Sequence, residues 1–104
     1  NIGLDEIDKN KSTKIYGCAS SAWIKTDKKN DNYFIKTDSD TFIVKGLLNI
    51  LEFILNGTTK KEIEKIKIED ILKNIGLENS ITSQRTNGFL SALNKIKEQV
   101  NEYE

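Results

Sequence analysis

The stretch that decides the fold reads Tyr33-Phe34-Ile35-Lys36-Thr37-Asp38-Ser39-Asp40-Thr41-Phe42-Ile43-Val44. Its first five residues are rich in aromatic and β-branched side chains, which are typical of a strand. A polar break follows, in which Ser39 or Asp40 can cap a helix by accepting from its free backbone N–H groups. The apolar run beyond it, to about Asn56, predicts a helix that is buried on most of its faces.

Upstream of this stretch the sequence predicts further strands. Residues 21–26, with Trp23 and Ile24 as bulky members, read as a strand, and the Asn- and Asp-rich residues 27–32 read as a turn. Two β-rich runs around a polar turn predict an antiparallel hairpin. Residues 14–16 are a candidate for a third short strand.

Downstream the pattern is helical. Asn56-Gly57 is a left-handed stop signal, and Thr59 with Glu62 forms a capping box that opens a short helix. A second short helix is predicted over residues 69–75. A last helix, capped by Thr82, runs toward Glu102 with an inward stripe of Phe89, Leu93, Ile96 and Val100. Strands followed by helices indicate an α+β fold, a small antiparallel three-stranded sheet packed against several helices.

Length and composition bound the organisation and the partners. With 104 residues and 37% hydrophobic content, we predict a single domain over residues 1–104, with residues 1–14 as a loosely ordered arm. Lys plus Arg and Asp plus Glu number 16 each, so the zero net charge argues against a nucleic-acid partner. The longest apolar run, 41–55, is interrupted by Lys45, Asn49 and Glu52 and is too polar to span a membrane.

The sequence contains one cysteine, Cys18, and no histidine. These facts remove the Cys–His nucleophile pair, the histidine-containing zinc sites and any cysteine cage for zinc or an iron–sulfur cluster, so we predict no metal site. A thiol without a base suits the acceptance of a group from a partner better than hydrolysis. A lone thiol also suits a reducing compartment.

The surroundings of Cys18 leave two readings open. Gly17 permits a tight exposed turn, and small residues follow as far as Ala22, so the thiol could enter a narrow site on another protein. The alternative is a buried structural cysteine, since free cysteine is among the most buried residue types. The glycine and the small polar residues favour the exposed, working thiol.

Three motifs, in this order and spacing, resemble the SufE/CsdE family of sulfur acceptors in iron–sulfur cluster assembly. The first is a G-C-x-S-x-x-W loop over residues 17–23. The second is D-S-D-x-x-I-V-K-G over residues 38–46, and the third is an S-R-S/T-N-G stretch, present here as Gln84-Arg85-Thr86-Asn87-Gly88. The similarity covers roughly residues 13–100 and implies the family's fold.

The resemblance implies a function in the SUF system. Proteins of this family bind a SufS-type, pyridoxal-phosphate-dependent cysteine desulfurase and stimulate it by accepting its persulfide sulfur. Cys18 would carry that sulfur to a SufB-containing scaffold, and the chain itself would bind no cofactor and be no enzyme. Gly17, Ser20, Asp38, Asp40 and Arg85 would bind the partner or orient the loop. For the two aspartates, helix capping and turn formation are the structural alternative.

The sequence also departs from the family pattern. Ala19 and Ser21 stand where the family usually has glutamine, which would remove or replace two polar contacts near the thiol. The family has an N-terminal helical segment that packs on this core. Because the chain lacks that segment and any methionine, we expect it to be N-terminally truncated and to carry an exposed apolar patch. Its location would be a bacterial cytoplasm or a plastid or apicoplast stroma.

Three rival functions remain to be weighed against sulfur acceptance. An iron–sulfur scaffold of the IscU or NifU type needs three cysteine ligands, and this chain has one. A standalone thiol enzyme lacks a base. A regulatory domain that binds a desulfurase without carrying sulfur remains the alternative, and it requires Cys18 to be dispensable.

Overall fold

The centre of the fold is a two-stranded antiparallel hairpin. In the computed structural model, which describes residues 3–15, 21–77, 79 and 83–103 (without the side chains of 83–85), strand β1 covers Ala22–Lys29 and β2 covers Asn32–Ser39. Lys29 pairs with Asn32 in register, so the turn consists of residues 30 and 31, with Asn30 at φ 58°. The predicted hairpin is confirmed, but the predicted six-residue turn is too long because both strands continue into it.

The third strand differs from the expected one. The sheet order is β1-β2-β3, and β3 is Thr58–Thr59, which pairs antiparallel with the start of β2. Residues 14–16 were expected to form that strand; residue 16 lies outside the described residues, and Lys14 makes an isolated bridge to Trp23. The three-stranded antiparallel sheet and the α+β class are therefore confirmed, but the third strand is Thr58–Thr59.

Four α-helices lie in the described part of the chain: α1 (Phe42–Leu55), α2 (Lys60–Lys65), α3 (Ile68–Asn74) and α4 (Ser83–Glu102). Gly57 at φ 81° follows α1, as the Asn56-Gly57 stop signal predicted, and Gly76 at φ 75° follows α3. The predicted cap of α4, Thr82, lies outside the described residues. None of the helices in the described ranges is long and apolar enough to cross a membrane.

The core lies on one face of the sheet. Helix α1 packs on β2 and α4 packs on β1, and the predicted stripe of α4 is confirmed, with all four members at most 3% exposed. The side chains of Ala22, Ile24, Tyr33 and Ile35 supply the sheet's contribution to this cluster. Because side chains alternate along a strand, Trp23 and Asp38 project from the opposite face.

Helix α1 is not buried on most of its faces, so that prediction was wrong. Leu48, Leu51 and Leu55 are at most 3% exposed, whereas Phe42 is 95% and Phe53 89% exposed. The sheet and α4 cover the side of α1 that carries these leucines, and Phe42 and Phe53 lie outside that cover. These side chains agree with the expectation of an exposed apolar patch.

Residues 3–9 lie against the outer face of the sheet, and residues 13–15 run along the edge of β1. The segment contains a short 3-10 helix at Glu6–Asp8, and Leu4, Thr13 and Ile15 are buried. The Gln99 side-chain amide on α4 donates to Ile24 O at 2.7 Å and to Ser12 O at 3.4 Å. The looseness predicted for residues 1–14, and the single domain, stay predictions.

We expect Thr59→Ala to lower the free energy of unfolding by about 1 kcal/mol. The Thr59 hydroxyl accepts from the Glu62 N–H at 3.3 Å, and Glu62 Oε1 accepts from the Thr59 N–H at 3.1 Å, so the predicted capping box is confirmed. Urea denaturation measures the change, with Thr59→Ser as the control that keeps the hydroxyl. Equal stability of the alanine and serine variants would contradict this prediction.

Candidate functional site

Two backbone pairings anchor the chain on either side of the cysteine loop. The Ile15 N–H donates to Ala22 O at 2.8 Å, and the Ile24 N–H donates to Thr13 O at 2.7 Å. The chain entering the loop is thus antiparallel to the strand that leaves it. The predicted site residues Gly17, Cys18 and Ser20 fall between these anchors, and they lie outside the described residues.

A second anchor ties the loop to the polar break between β2 and α1. Ser21 O accepts from the Ser39 hydroxyl at 2.9 Å and from the Asp40 N–H at 3.1 Å. Helix α1 has Thr41 at its N-cap position and no side-chain cap hydrogen bond, so the prediction that Ser39 or Asp40 caps it was wrong. The Ser39 hydroxyl accepts from the N–H of this N-cap residue, Thr41, at 3.3 Å.

The Asp38 carboxylate is the electrostatic centre of this region. It accepts from the Leu4 N–H at 3.2 Å and from the Ser39 N–H at 2.9 Å. Lys9 Nζ lies 3.1 Å from one oxygen and Lys45 Nζ lies 3.5 Å from the other. The Asp38 side chain, which is 12% exposed, therefore connects the N-terminal segment, the polar break and α1.

The pKa of Asp38 lies below its ordinary value. Burial of the carboxyl group raises this pKa, but the hydrogen bond from Lys9, the backbone hydrogen bond from Ser39 and the charges of Lys9 and Lys45 together outweigh burial. The same contact raises the pKa of Lys9, with a smaller contribution from Glu6. The pair therefore favours the charged state of both partners.

We expect the Asp38 contribution to stability to disappear in acid. The folded-state pKa is depressed, so the unfolded state takes up the proton first as the pH falls. The contribution is fully present above the unfolded pKa of about 3.9 and is lost as the pH drops through the folded value. As the pH is lowered from neutral into the acid range, the urea midpoint should fall more steeply for the unaltered chain than for Asp38→Asn. Asp70→Asn, at an exposed position on α3, is the control, and equal slopes for the chain and Asp38→Asn would refute the prediction.

The remaining predicted site residues are placed only in part. Asp40 is exposed beside the Ser21 anchor, with its backbone in the contact described above. Arg85 lies in the first turn of α4, but its side chain is outside the described part of the chain. Their roles in binding the partner or orienting the cysteine loop stay predictions.

Three further residues belong to this region, and the sequence did not predict their contacts. Trp23 is half-buried on the outer face of the sheet, with Lys9 Nζ 5.2 Å from its ring centroid. Lys45 on α1 forms an ion pair with Asp38, with Nζ 3.5 Å from the carboxylate. The inward alternation of Ala22, Ile24 and Thr26 would have placed Trp23 outward. No local signal identifies Lys9 as part of this region, because Trp23 and Asp38 are distant from it in sequence.

An apolar groove lies away from this region, between α1 and the α2–α3 segment. Its volume is about 640 Å³, and Ile50, Phe53, Ile54, Ile66 and Ile71 are among its lining residues. Within the described ranges, no group of three or more His, Cys, Asp or Glu side chains is placed to hold a metal ion.

Comparison with known proteins places these features in a family. A family model described as "SufE: Fe-S metabolism associated domain" matches residues 2–100. An uncharacterized SufE-like protein of Rhizobium meliloti is 34% identical over 100 residues, covering 92% of this chain and 71% of the relative. One of Synechocystis is 37% identical over 75% of this chain and 48% of its own length. SufE-like protein 1, chloroplastic/mitochondrial, of Arabidopsis thaliana is 32% identical over 92% of this chain and 26% of its own.

Proposed function

The chain belongs to the SufE family, and from that membership we propose that it is a sulfur acceptor whose reactive group is Cys18. In this proposal Cys18 takes sulfur from a SufS-type cysteine desulfurase and delivers it to a SufB-containing scaffold. One observation carries the proposal: the only cysteine in the sequence falls between two anchored positions, three residues after Ile15 and three before Ser21. Three residues of extended chain reach at most about 11 Å, so the anchors limit where the thiol can act.

The proposed transfer needs no oxidant or reductant. The Cys18 thiolate attacks the outer sulfur of the desulfurase persulfide, and a new S–S bond forms as the old one breaks. The electron pair of the broken bond leaves on the desulfurase cysteine as its thiolate. Cys18 then holds the persulfide, and one sulfur atom has moved between two proteins.

Activation of the thiol is proposed to come from the partner. A free cysteine has a pKa of about 8.5, so only a small fraction is thiolate at neutral pH. The sequence offers no histidine to act as a base. Insertion of the loop into the desulfurase site would supply the missing stabilisation. A measured pKa of Cys18 well below neutrality in the isolated chain would contradict this step.

The other predicted site residues have supporting roles in the proposal. Asp38 and Asp40 hold the polar break that binds Ser21, and so they orient the loop. Gly17, Ser20 and Arg85 are proposed to orient the loop or contact the partner. The pyridoxal phosphate belongs to the desulfurase, and this chain needs no cofactor or metal of its own. The Suf proteins it serves would share its compartment, a bacterial cytoplasm or a plastid or apicoplast stroma.

The experiment that tests the proposal separates a carrier from a regulator. Desulfurase turnover of cysteine is measured with the unaltered chain and with Cys18→Ser, and binding of each to the desulfurase is measured in parallel. A carrier stimulates turnover only with the thiol present, while both chains bind. Equal stimulation by Cys18→Ser would overturn the proposal in favour of a regulatory domain that binds without accepting sulfur.

A further inference from the structure

Lys9 contacts both members of one cross-strand pair. Trp23 on β1 and Asp38 on β2 are partners in register and project from the same face of the sheet. Lys9 Nζ lies 3.1 Å from the Asp38 carboxylate and 5.2 Å from the centroid of the Trp23 ring. The Lys9 side chain is only 20% exposed, so an ion pair and a cation–π contact are made together beneath the N-terminal segment.

This cross-strand pair lies at the base of the cysteine loop. Trp23 follows Ser21 by two residues, and Lys14, on the other side of the loop, bridges to Trp23. Asp38 directly precedes Ser39, whose hydroxyl holds Ser21 O. A shift of Trp23 relative to Asp38 would therefore move both ends of the loop.

The N-terminal segment is fitted closely to the same carboxylate. The Leu4 N–H donates to Asp38, and a Cβ added to Gly3 would overlap the carboxylate. A side chain at position 3 would therefore force the Asp38 carboxylate to move. Residues 3–9 bind Asp38 at both of their ends, through Leu4 and through Lys9.

We propose that Lys9 is a positioning residue for Cys18. Its ammonium group holds Trp23 and Asp38 together and so fixes the base of the loop that carries the thiol. The inference rests on the proposed function, because the position of Cys18 matters for transfer only if the thiol accepts sulfur. Lys9 itself does not touch the reacting atoms.

The test compares Lys9→Met with Lys25→Met. Lys25 is a matched control, because it joins the same segment to the sheet through Asp8 at 3.2 Å, away from the loop base. Two readouts use the isolated chain: the emission of Trp23, the single tryptophan, and the rate of alkylation of Cys18, the single cysteine. Coupling between contacting residues predicts a change of about threefold or more in the alkylation rate for Lys9→Met. Lys25→Met should leave both readouts unchanged, and Lys9→Arg should restore them.

The outcomes are distinct from those for the proposed function. Unchanged alkylation in Lys9→Met, or an equal change in Lys25→Met, overturns the positioning role, and neither measurement needs a desulfurase. If the unaltered chain accepts no sulfur, the proposed function fails while alkylation still decides the role of Lys9. Thermal unfolding establishes that each variant is folded, and Lys9→Gln replaces Lys9→Met in the same comparison if the latter unfolds.

Discussion

Replacing Cys18 with serine is expected to abolish the delivery of labelled sulfur from cysteine to the scaffold. A serine hydroxyl is neither ionised near neutral pH nor able to form a persulfide, so no residual transfer through this chain is expected. The measurement uses [³⁵S]cysteine, the desulfurase, the chain and the scaffold, and counts label on each protein. Label should remain on the desulfurase when the serine variant is used.

A relocated thiol provides a sharper control than removal alone. The double variant Cys18→Ser/Ser20→Cys keeps one cysteine in the same loop and moves it two residues toward the Ser21 anchor. If the anchors set where the thiol acts, this variant should not restore delivery. Full restoration would mean that any thiol in the loop suffices, and that the anchored geometry has no part in transfer.

The largest expected effect on stability comes from Leu51→Ala. Leu51 is 0% exposed on the covered side of α1, and its truncation removes apolar contacts and leaves a cavity. Substitutions of this kind cost about 2–5 kcal/mol, which is a large part of the roughly 5–15 kcal/mol that stabilises a domain. Urea or thermal denaturation should show a variant that is barely folded.

Phe53→Ala is the matched control on the same helix. Phe53 is larger than Leu51 and only two residues away, but it is 89% exposed. Its removal should change the free energy of unfolding by no more than about 0.5 kcal/mol. Comparable losses for the two variants would mean that both faces of α1 are covered in solution.

This pair of residues also shows where prediction from the sequence ends. The apolar run correctly predicted a helix that ends at about Asn56, because composition and the Asn-Gly signal act locally. Which apolar side chains are buried depends on the elements that cover the helix. The sheet and α4 cover the side with Leu51 and leave Phe42 and Phe53 exposed, and no periodicity in so apolar a run distinguishes them.

The sequence predicted an antiparallel three-stranded sheet, but it did not predict which residues form the third strand. The hairpin follows from two β-rich runs, whereas the two-residue strand Thr58–Thr59 is too short to leave a pattern. Those residues were recognised only by their capping box, which the structure also contains. The pairing with β2 arises because α1 returns the chain to the start of that strand.

The candidate site also combines residues that the sequence identifies with contacts that it does not predict. Cys18 and the Asp38-Ser39-Asp40 break stand out in the sequence by composition and motif. The contacts among Lys9, Trp23 and Asp38 join three separate segments, and such contacts form only when the chain folds. For the same reason the sequence suggested helix capping by Asp40, whereas in the structure its N–H donates to Ser21 O.

The most direct test of the account is the intact mass of the chain under non-reducing conditions. The chain is incubated with a cysteine desulfurase, pyridoxal phosphate and cysteine, with Cys18→Ser beside it. The account predicts a gain of one sulfur atom on the unaltered chain, removed by reductant and missing from the variant. No gain on the unaltered chain despite demonstrated binding to the desulfurase would contradict sulfur acceptance by Cys18.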